Sequence, residues 1–146
     1  MAMKKTPQKL SNPFANSDTN KRYYTFEYYC RRKYGGRCVK IPLDAGFTCP
    51  NIDGRCGTGG CIYCSPRGSG DSIPSFSDVR EQYTAGRAAL ASKWDVSRTI
   101  PYFQAHTNTY APVEVLRPLF YDALSFDGAV GLDIATRADC LPDDVT

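Results

Sequence analysis

Four of the chain's seven cysteines fall within sixteen residues, Cys49-Pro-Asn-Ile-Asp-Gly-Arg-Cys56-Gly-Thr-Gly-Gly-Cys61-Ile-Tyr-Cys64, and this stretch constrains the fold more than any other. Seven is an odd number, and nothing marks the chain for export, so a disulfide framework explains the cysteines poorly. Clustered thiolates favour zinc, copper(I) or an iron–sulfur cluster. Cys61-x-x-Cys64 lets two sulfurs on one tight turn reach the same centre. The glycines at 54, 57, 59 and 60 let the backbone wrap close to it. A structural zinc site is closed by four ligands, which Cys49, Cys56, Cys61 and Cys64 would just supply. A cluster held by three cysteines would leave one iron open for chemistry. Counting cysteines leaves both readings standing.

The remaining composition narrows the class. At 146 residues, 42% hydrophobic and 23% charged, the chain suits one globular domain. No apolar run approaches the roughly 18 residues of a membrane span. The charged N-terminus lacks the apolar core of a signal peptide, so a cytoplasmic protein with no membrane partner is expected. The net charge of +3 is unevenly spread. Residues 1–40 hold ten Lys or Arg against Asp18 and Glu27, whereas residues 41–146 hold eight bases and thirteen acids. A basic arm on a mildly acidic body suggests a polyanionic partner.

Along the chain, residues 1–20 read as a flexible basic arm. Residues 21–36 read as a helix stopped by Gly35-Gly36. Val39, Ile41 and Leu43 alternate as in a short strand, although Pro42 interrupts it. Residues 78–94 read as a helix capped by Asp78-x-x-Glu81, with Val79, Tyr83, Leu90 and Trp94 on one face. A second strand is expected over 99–105. A helix should follow from Pro112, with Val113, Leu116, Phe120 and Leu124 on one face and a kink or restart at Pro118. Asp127-Gly128 makes a turn, and residues 129–135 read as a third, buried strand. The alternation predicts an α/β protein with a parallel sheet. The cysteine loop leaves the C-terminal end of the first strand, where such sheets and barrels keep their active sites. Leu141-Pro-Asp-Asp-Val-Thr146 looks like the cap and first turn of another helix, which predicts a fragment of a longer protein.

Several blocks together resemble the YhcC-type radical SAM family, which is related to the catalytic subunit of Elongator. They are Ile41-Pro-Leu-Asp-Ala-Gly-Phe-Thr-Cys49-Pro-Asn-x-Asp-Gly, Gly59-Gly-Cys61-x-Tyr-Cys64, Tyr102-Phe-Gln-Ala-x-Thr-Asn-Thr-Tyr-Ala111 and Gly131-x-x-Ile-Ala-Thr-Arg137-x-Asp139-Cys-x-Pro142-Asp. The resemblance runs from about Arg22 to the C-terminus. It implies the N-terminal part of a partial (β/α) barrel, with residues 21–146 holding the first three strands and two helices. It also implies a [4Fe-4S] cluster on Cys49, Cys61 and Cys64, with S-adenosylmethionine (SAM) on the fourth iron. Such an enzyme cleaves SAM to a 5′-deoxyadenosyl radical that abstracts hydrogen from substrate, with electrons from a donor such as flavodoxin or ferredoxin.

The same resemblance sets Tyr63 against the SAM adenine. It makes Gln104, Thr107, Asn108 and Thr109 SAM contacts, and it puts Arg137 and Asp139 at the substrate or SAM pocket. This chain departs from the pattern at Ala138, His106 and Cys56, and the glycine-rich motif common in radical SAM enzymes is absent. Cys56 creates a rival register, Cys56-x4-Cys61-x2-Cys64, and a four-thiolate zinc site, and with it the alternative reading of a small zinc-binding module that recognises nucleic acid through the basic N-terminal segment. Cys30, Cys38 and Cys140 read as structural thiols, and His106 as a hydrogen-bonded loop residue. The segment Arg22–Tyr34 interleaves bases with aromatics, a pairing that suits RNA. Some relatives of the family look like tRNA-modifying enzymes, which makes tRNA a candidate partner.

Overall fold

Alternation along the strands decides which side of the sheet holds the core. In the computed structural model, which describes residues 21–74 and 78–146, strands β1 (Val39–Leu43), β2 (Thr99–Phe103) and β3 (Asp133–Ile134) run parallel in that order. The register pairs Val39 with Thr99, Ile41 with Pro101 and Leu43 with Phe103. These residues share one face, and Ile41, Leu43 and Phe103 are fully buried there. The opposite face carries Lys40, Pro42, Tyr102 and Asp133. On it Lys40 Nζ meets Asp133 Oδ2 at 2.6 Å and sits 4.9 Å from the centre of the Tyr102 ring.

Two helices cover the apolar face. In α2 (Val79–Ala91) the Asp78 carboxylate accepts from the N–H groups of Arg80 and Glu81, as the sequence predicts. Tyr83 is buried in the core, and Val79 and Leu90 pack against its edge, but Trp94 is exposed. In α3 (Val113–Leu124) Leu116 and Ala123 are buried, Leu119 and Phe120 lie against the core, and Leu124 is exposed. The helix runs on through Pro118, which is exposed, without the expected restart. Gly86 lets α2 approach closely, since a Cβ there would stand 2.9 Å from Ile41 Cγ2.

The prolines explain where the sheet differs from expectation. Val39 N–H donates to Arg98 O and Gln104 N–H to Leu43 O, so residues 39, 41 and 43 bond toward β2. Pro42 therefore turns its nitrogen away from β2, to the side with no strand partner among the described residues, and removes no bond of the β1–β2 ladder. Pro101 stands in the central strand on the side facing β3 and has no N–H to donate. There the ladder breaks: a bridge joins Thr99 to Ala129, the register slips by one residue, and pairing resumes at Tyr102–Asp133. The third strand is thus two residues long rather than the seven of 129–135.

The described residues divide into two compact units, 21–37 and 38–146. In the first, α1 (Phe26–Tyr34) starts at Thr25, whose Oγ1 accepts from Tyr28 N–H at 3.1 Å, and ends at Gly35 with φ +75°. It is shorter than the predicted 21–36. The arm at 1–20 lies outside the described residues. Beyond the 3-10 turn Ala138–Cys140 the chain makes a turn, in which Val145 N–H donates to Pro142 O, rather than the start of a helix. Among the described residues no helix is long and apolar enough to cross a membrane.

Candidate metal and cofactor site

The cysteine segment leaves β1 through Asp44, which α2 holds by both backbone groups. Asp44 N–H donates to Gln82 Oε1 and Gln82 Nε2 donates to Asp44 O, each at 2.8 Å. Beyond it the eleven residues between Cys49 and Cys61 fold back on themselves. Ile52 N–H and Asp53 N–H both donate to Cys49 O, Cys56 N–H donates to Pro50 O, and Asp53 pairs with Thr58 in an antiparallel bridge. This small hairpin returns Cys61 beside the turn it started from. Cys64 N–H then donates to Cys61 O at 3.0 Å, closing the Cys61-x-x-Cys64 turn.

Segments following all three strands enclose one cleft of about 750 Å³, within the size range of small-molecule sites. Its walls bring together Cys49, Cys61, Cys64, Tyr63, Gln104, Thr107 and Arg137 from the residues expected at a site. Cys56 is exposed and lies outside it. Among the described residues no three His, Cys, Asp or Glu side chains converge closely enough to hold a metal ion. The thiols thus line one cleft without meeting at a point, and Tyr63, at 84% exposed, stands at the rim.

The polar groups around the thiols suit soft anionic ligands. Asn51 Nδ2 donates to Cys61 Sγ at 3.0 Å. That bond, and then the neighbouring Tyr63 hydroxyl, holds the Cys61 thiol below its usual range. The same contact with Cys61 raises Tyr63. Arg137 is gripped by Asp139 through two hydrogen bonds, Nε to Oδ1 at 2.9 Å and Nη2 to Oδ2 at 2.7 Å. The Asp139 pair, and then the nearby Cys49 thiol, raise the Arg137 guanidinium further, so a fixed positive charge stands near the first thiol. Cys140 is buried, and burial pushes its thiol up.

Asn108, Thr109 and Asp139 do not line the cleft. Asn108 is fully buried and spends its Nδ2 on Phe103 O and Ala135 O at 3.1 and 3.0 Å, tying the end of β2 to the segment after β3. Its Oδ1 has no hydrogen-bond partner among the described residues. Thr109 Oγ1 bonds Thr136 Oγ1 and Cys140 O. His106 lines the cleft at φ +60°, donates its N–H to Gly68 O, and lies so close to Gly68 that a Cβ there would strike its ring. Asn51 and Gln82 are the residues that sequence reasoning missed. The Cys-Pro-Asn block marked Asn51 without a role, and an amphipathic pattern carries no signal for a buried glutamine.

This chain is similar to proteins whose names describe no activity. It is 48% identical over 136 residues to the uncharacterized protein YtqA of Bacillus subtilis, an alignment covering 92% of this chain and 42% of that protein. It is 41% identical over 114 residues to protein YhcC of Escherichia coli, covering 78% and 36%. To the uncharacterized protein MJ0486 of Methanocaldococcus jannaschii it is 33% identical over 120 residues, covering 77% and 34%. The chain therefore spans about two fifths or less of the length of these curated relatives. No family model matches it, and no solved structure does.

Proposed function

We propose that this chain is the cluster-binding, SAM-binding part of a radical SAM enzyme. One observation carries the reading: Cys49, Cys61 and Cys64 line a single cleft at the C-terminal ends of parallel strands, while Cys56 is exposed and does not line it. Three thiols and no fourth suit a cluster with an open iron better than closed zinc. Strands that follow one another in space as in sequence are compatible with the first part of a (β/α) barrel.

Cys49, Cys61 and Cys64 would hold the [4Fe-4S] cluster. Tyr63, Gln104 and Thr107 line the same cleft, where SAM would lie. When bound, the pair supplies a 5′-deoxyadenosyl radical for hydrogen abstraction. The protein's part is to orient the pair and exclude water. Arg137, held by Asp139, presents fixed positive charge to the cleft and suits an anionic group such as the SAM carboxylate. The electron donor would be a flavodoxin or ferredoxin, and the basic, aromatic α1 makes an RNA such as tRNA the candidate partner.

The test is anaerobic reconstitution with iron and sulfide, followed by EPR of the reduced protein with and without SAM. The reading requires a cluster signal that changes on adding SAM, is lost in Cys49→Ala and survives in Cys56→Ser. A colourless protein with one zinc per chain that depends on Cys56 would replace it with a zinc module.

A further inference from the structure

The long spacing between the first cysteine and the other two poses a positioning problem. Eleven intervening residues leave the sulfur of Cys49 and those of the Cys61–Cys64 turn unrelated unless something joins them. The hairpin over 50–58 brings the two segments together, and one residue then grips both. Asn51 belongs to the turn that begins at Cys49 O, which accepts from Ile52 N–H at 2.8 Å. Its own carbonyl accepts from Gly60 N–H at 2.9 Å. Its side-chain Nδ2 donates to Cys61 Sγ at 3.0 Å. Main chain and side chain thus hold two consecutive residues, Gly60 and Cys61, from one position. The Gly60 backbone, at φ +80°, is free to present its N–H because no side chain is there to resist.

We infer that Asn51 is the positioning residue of the thiol set: it sets Cys61 relative to Cys49 and donates a hydrogen bond to the Cys61 sulfur when that sulfur ligates the cluster. The inference rests on the cluster reading above. A neutral N–H donor to a ligating sulfur withdraws negative charge from the centre and favours its reduced state. Asn51 would therefore act on the potential at which the centre accepts an electron as well as on its placement. The two halves of the grip separate by mutation. Asn51→Ala removes the donor to sulfur and leaves the main-chain bond to Gly60. Asn51→Gln restores a carboxamide.

The test reads the midpoint potential of the reconstituted parent, Asn51→Ala and Asn51→Gln by EPR-monitored redox titration, beside iron and sulfide content. The expected result is a midpoint moved to more negative potential in Asn51→Ala, with Asn51→Gln returning toward the parent. An Ala variant with the parental midpoint, whether or not its iron content falls, overturns the inference while leaving the cluster reading intact. A parent that takes up no cluster overturns both, through the parent alone. Should Asn51→Ala assemble no cluster, the metal-free parent decides by ¹H–¹⁵N NMR. The Asn51 carboxamide signals must move on Cys61→Ala, and signals that stay in place overturn the bond.

Discussion

Gln82 of α2 and Asp44 at the exit of β1 pair reciprocally, the glutamine carboxamide accepting from Asp44 N–H and donating to Asp44 O, both at 2.8 Å. Gln82 is 2% exposed, so water cannot replace it. Gln82→Leu keeps the bulk and leaves both backbone groups of Asp44 unpaired. Each such loss costs about 1–3 kcal/mol. Chemical denaturation should show a drop of that order, and the cysteine loop, which starts at Asp44, should exchange its amide hydrogens faster. Unchanged stability and exchange would show that water reaches Asp44 after all.

Gly86 is the point where α2 comes closest to the sheet. Alanine normally stabilises a helix interior by up to about 1 kcal/mol over glycine. Here its methyl would sit 2.9 Å from Ile41 Cγ2, and Ile41 is fully buried with nowhere to move. Overpacking of this kind costs about 1–3 kcal/mol. Gly86→Ala should therefore destabilise the protein in thermal unfolding, and pairing it with Ile41→Leu, which lacks that methyl, should recover part of the loss. A stabilised Gly86→Ala would mean that the helix can shift away.

Asn108 separates a structural role from a cofactor contact. Its Nδ2 joins Phe103 O and Ala135 O, so Asn108→Ala should cost about 1–3 kcal/mol of stability. The residue does not reach the cleft wall. Reconstituted Asn108→Ala should then bind SAM like the parent, as read by titration of the cluster EPR signal. A large loss of SAM affinity in a folded variant would restore the direct role implied by the resemblance.

The Arg137–Asp139 pair has a pH signature. Hydrogen bonding to Arg137 holds the Asp139 carboxyl below its usual range. A group lowered in the folded state adds stability above its unfolded pKa, about 3.9, and loses it as the pH falls through the lower folded value. The contribution is therefore constant at neutral pH and fades only below about pH 4. Asp139 is about half exposed, so the energy is small, and carboxyl NMR is the sharper probe. Its titration midpoint should rise in Arg137→Gln. A midpoint that stays put would assign the shift to the backbone instead.

How much of this was legible from residue order follows from what each interaction depends on. The helix over 79–91 was readable because its cap, Asp78, and its apolar face are local. Val39, Ile41 and Leu43 revealed β1 by alternation alone. The length of β3 was not readable, because it depends on Pro101 in another strand, some thirty residues away. The cleft's thiols could be named from the cysteine spacing and the resemblance. Their support could not: Asn51 and Gln82 act through contacts made only on folding, and Asn108 and Thr109 look polar enough for a ligand until their hydrogen bonds are seen to go to Phe103 O, Ala135 O, Thr136 Oγ1 and Cys140 O.

The helix α1 offers the last test, on the polyanionic partner. Arg31, Arg32 and Lys33 fall in its last turn, and Tyr23, Tyr24 and Phe26 at its start are exposed. Arg32 and Lys33 lie 5.7 and 5.4 Å from the centres of the Tyr28 and Tyr29 rings, so charge and aromatic faces alternate on one short segment. If this segment meets RNA, binding must weaken with salt, by a log–log slope of about 0.7 for each phosphate neutralised on a single strand. Fluorescence anisotropy with a labelled poly(U) oligonucleotide should show that slope in the parent. Replacing Arg31, Arg32 and Lys33 together by alanine should lower both the affinity and the slope, whereas Tyr23→Ala with Tyr24→Ala should lower affinity at an unchanged slope, because stacking releases no counterions. Equal slopes in the parent and the triple variant would remove α1 from any role in RNA binding.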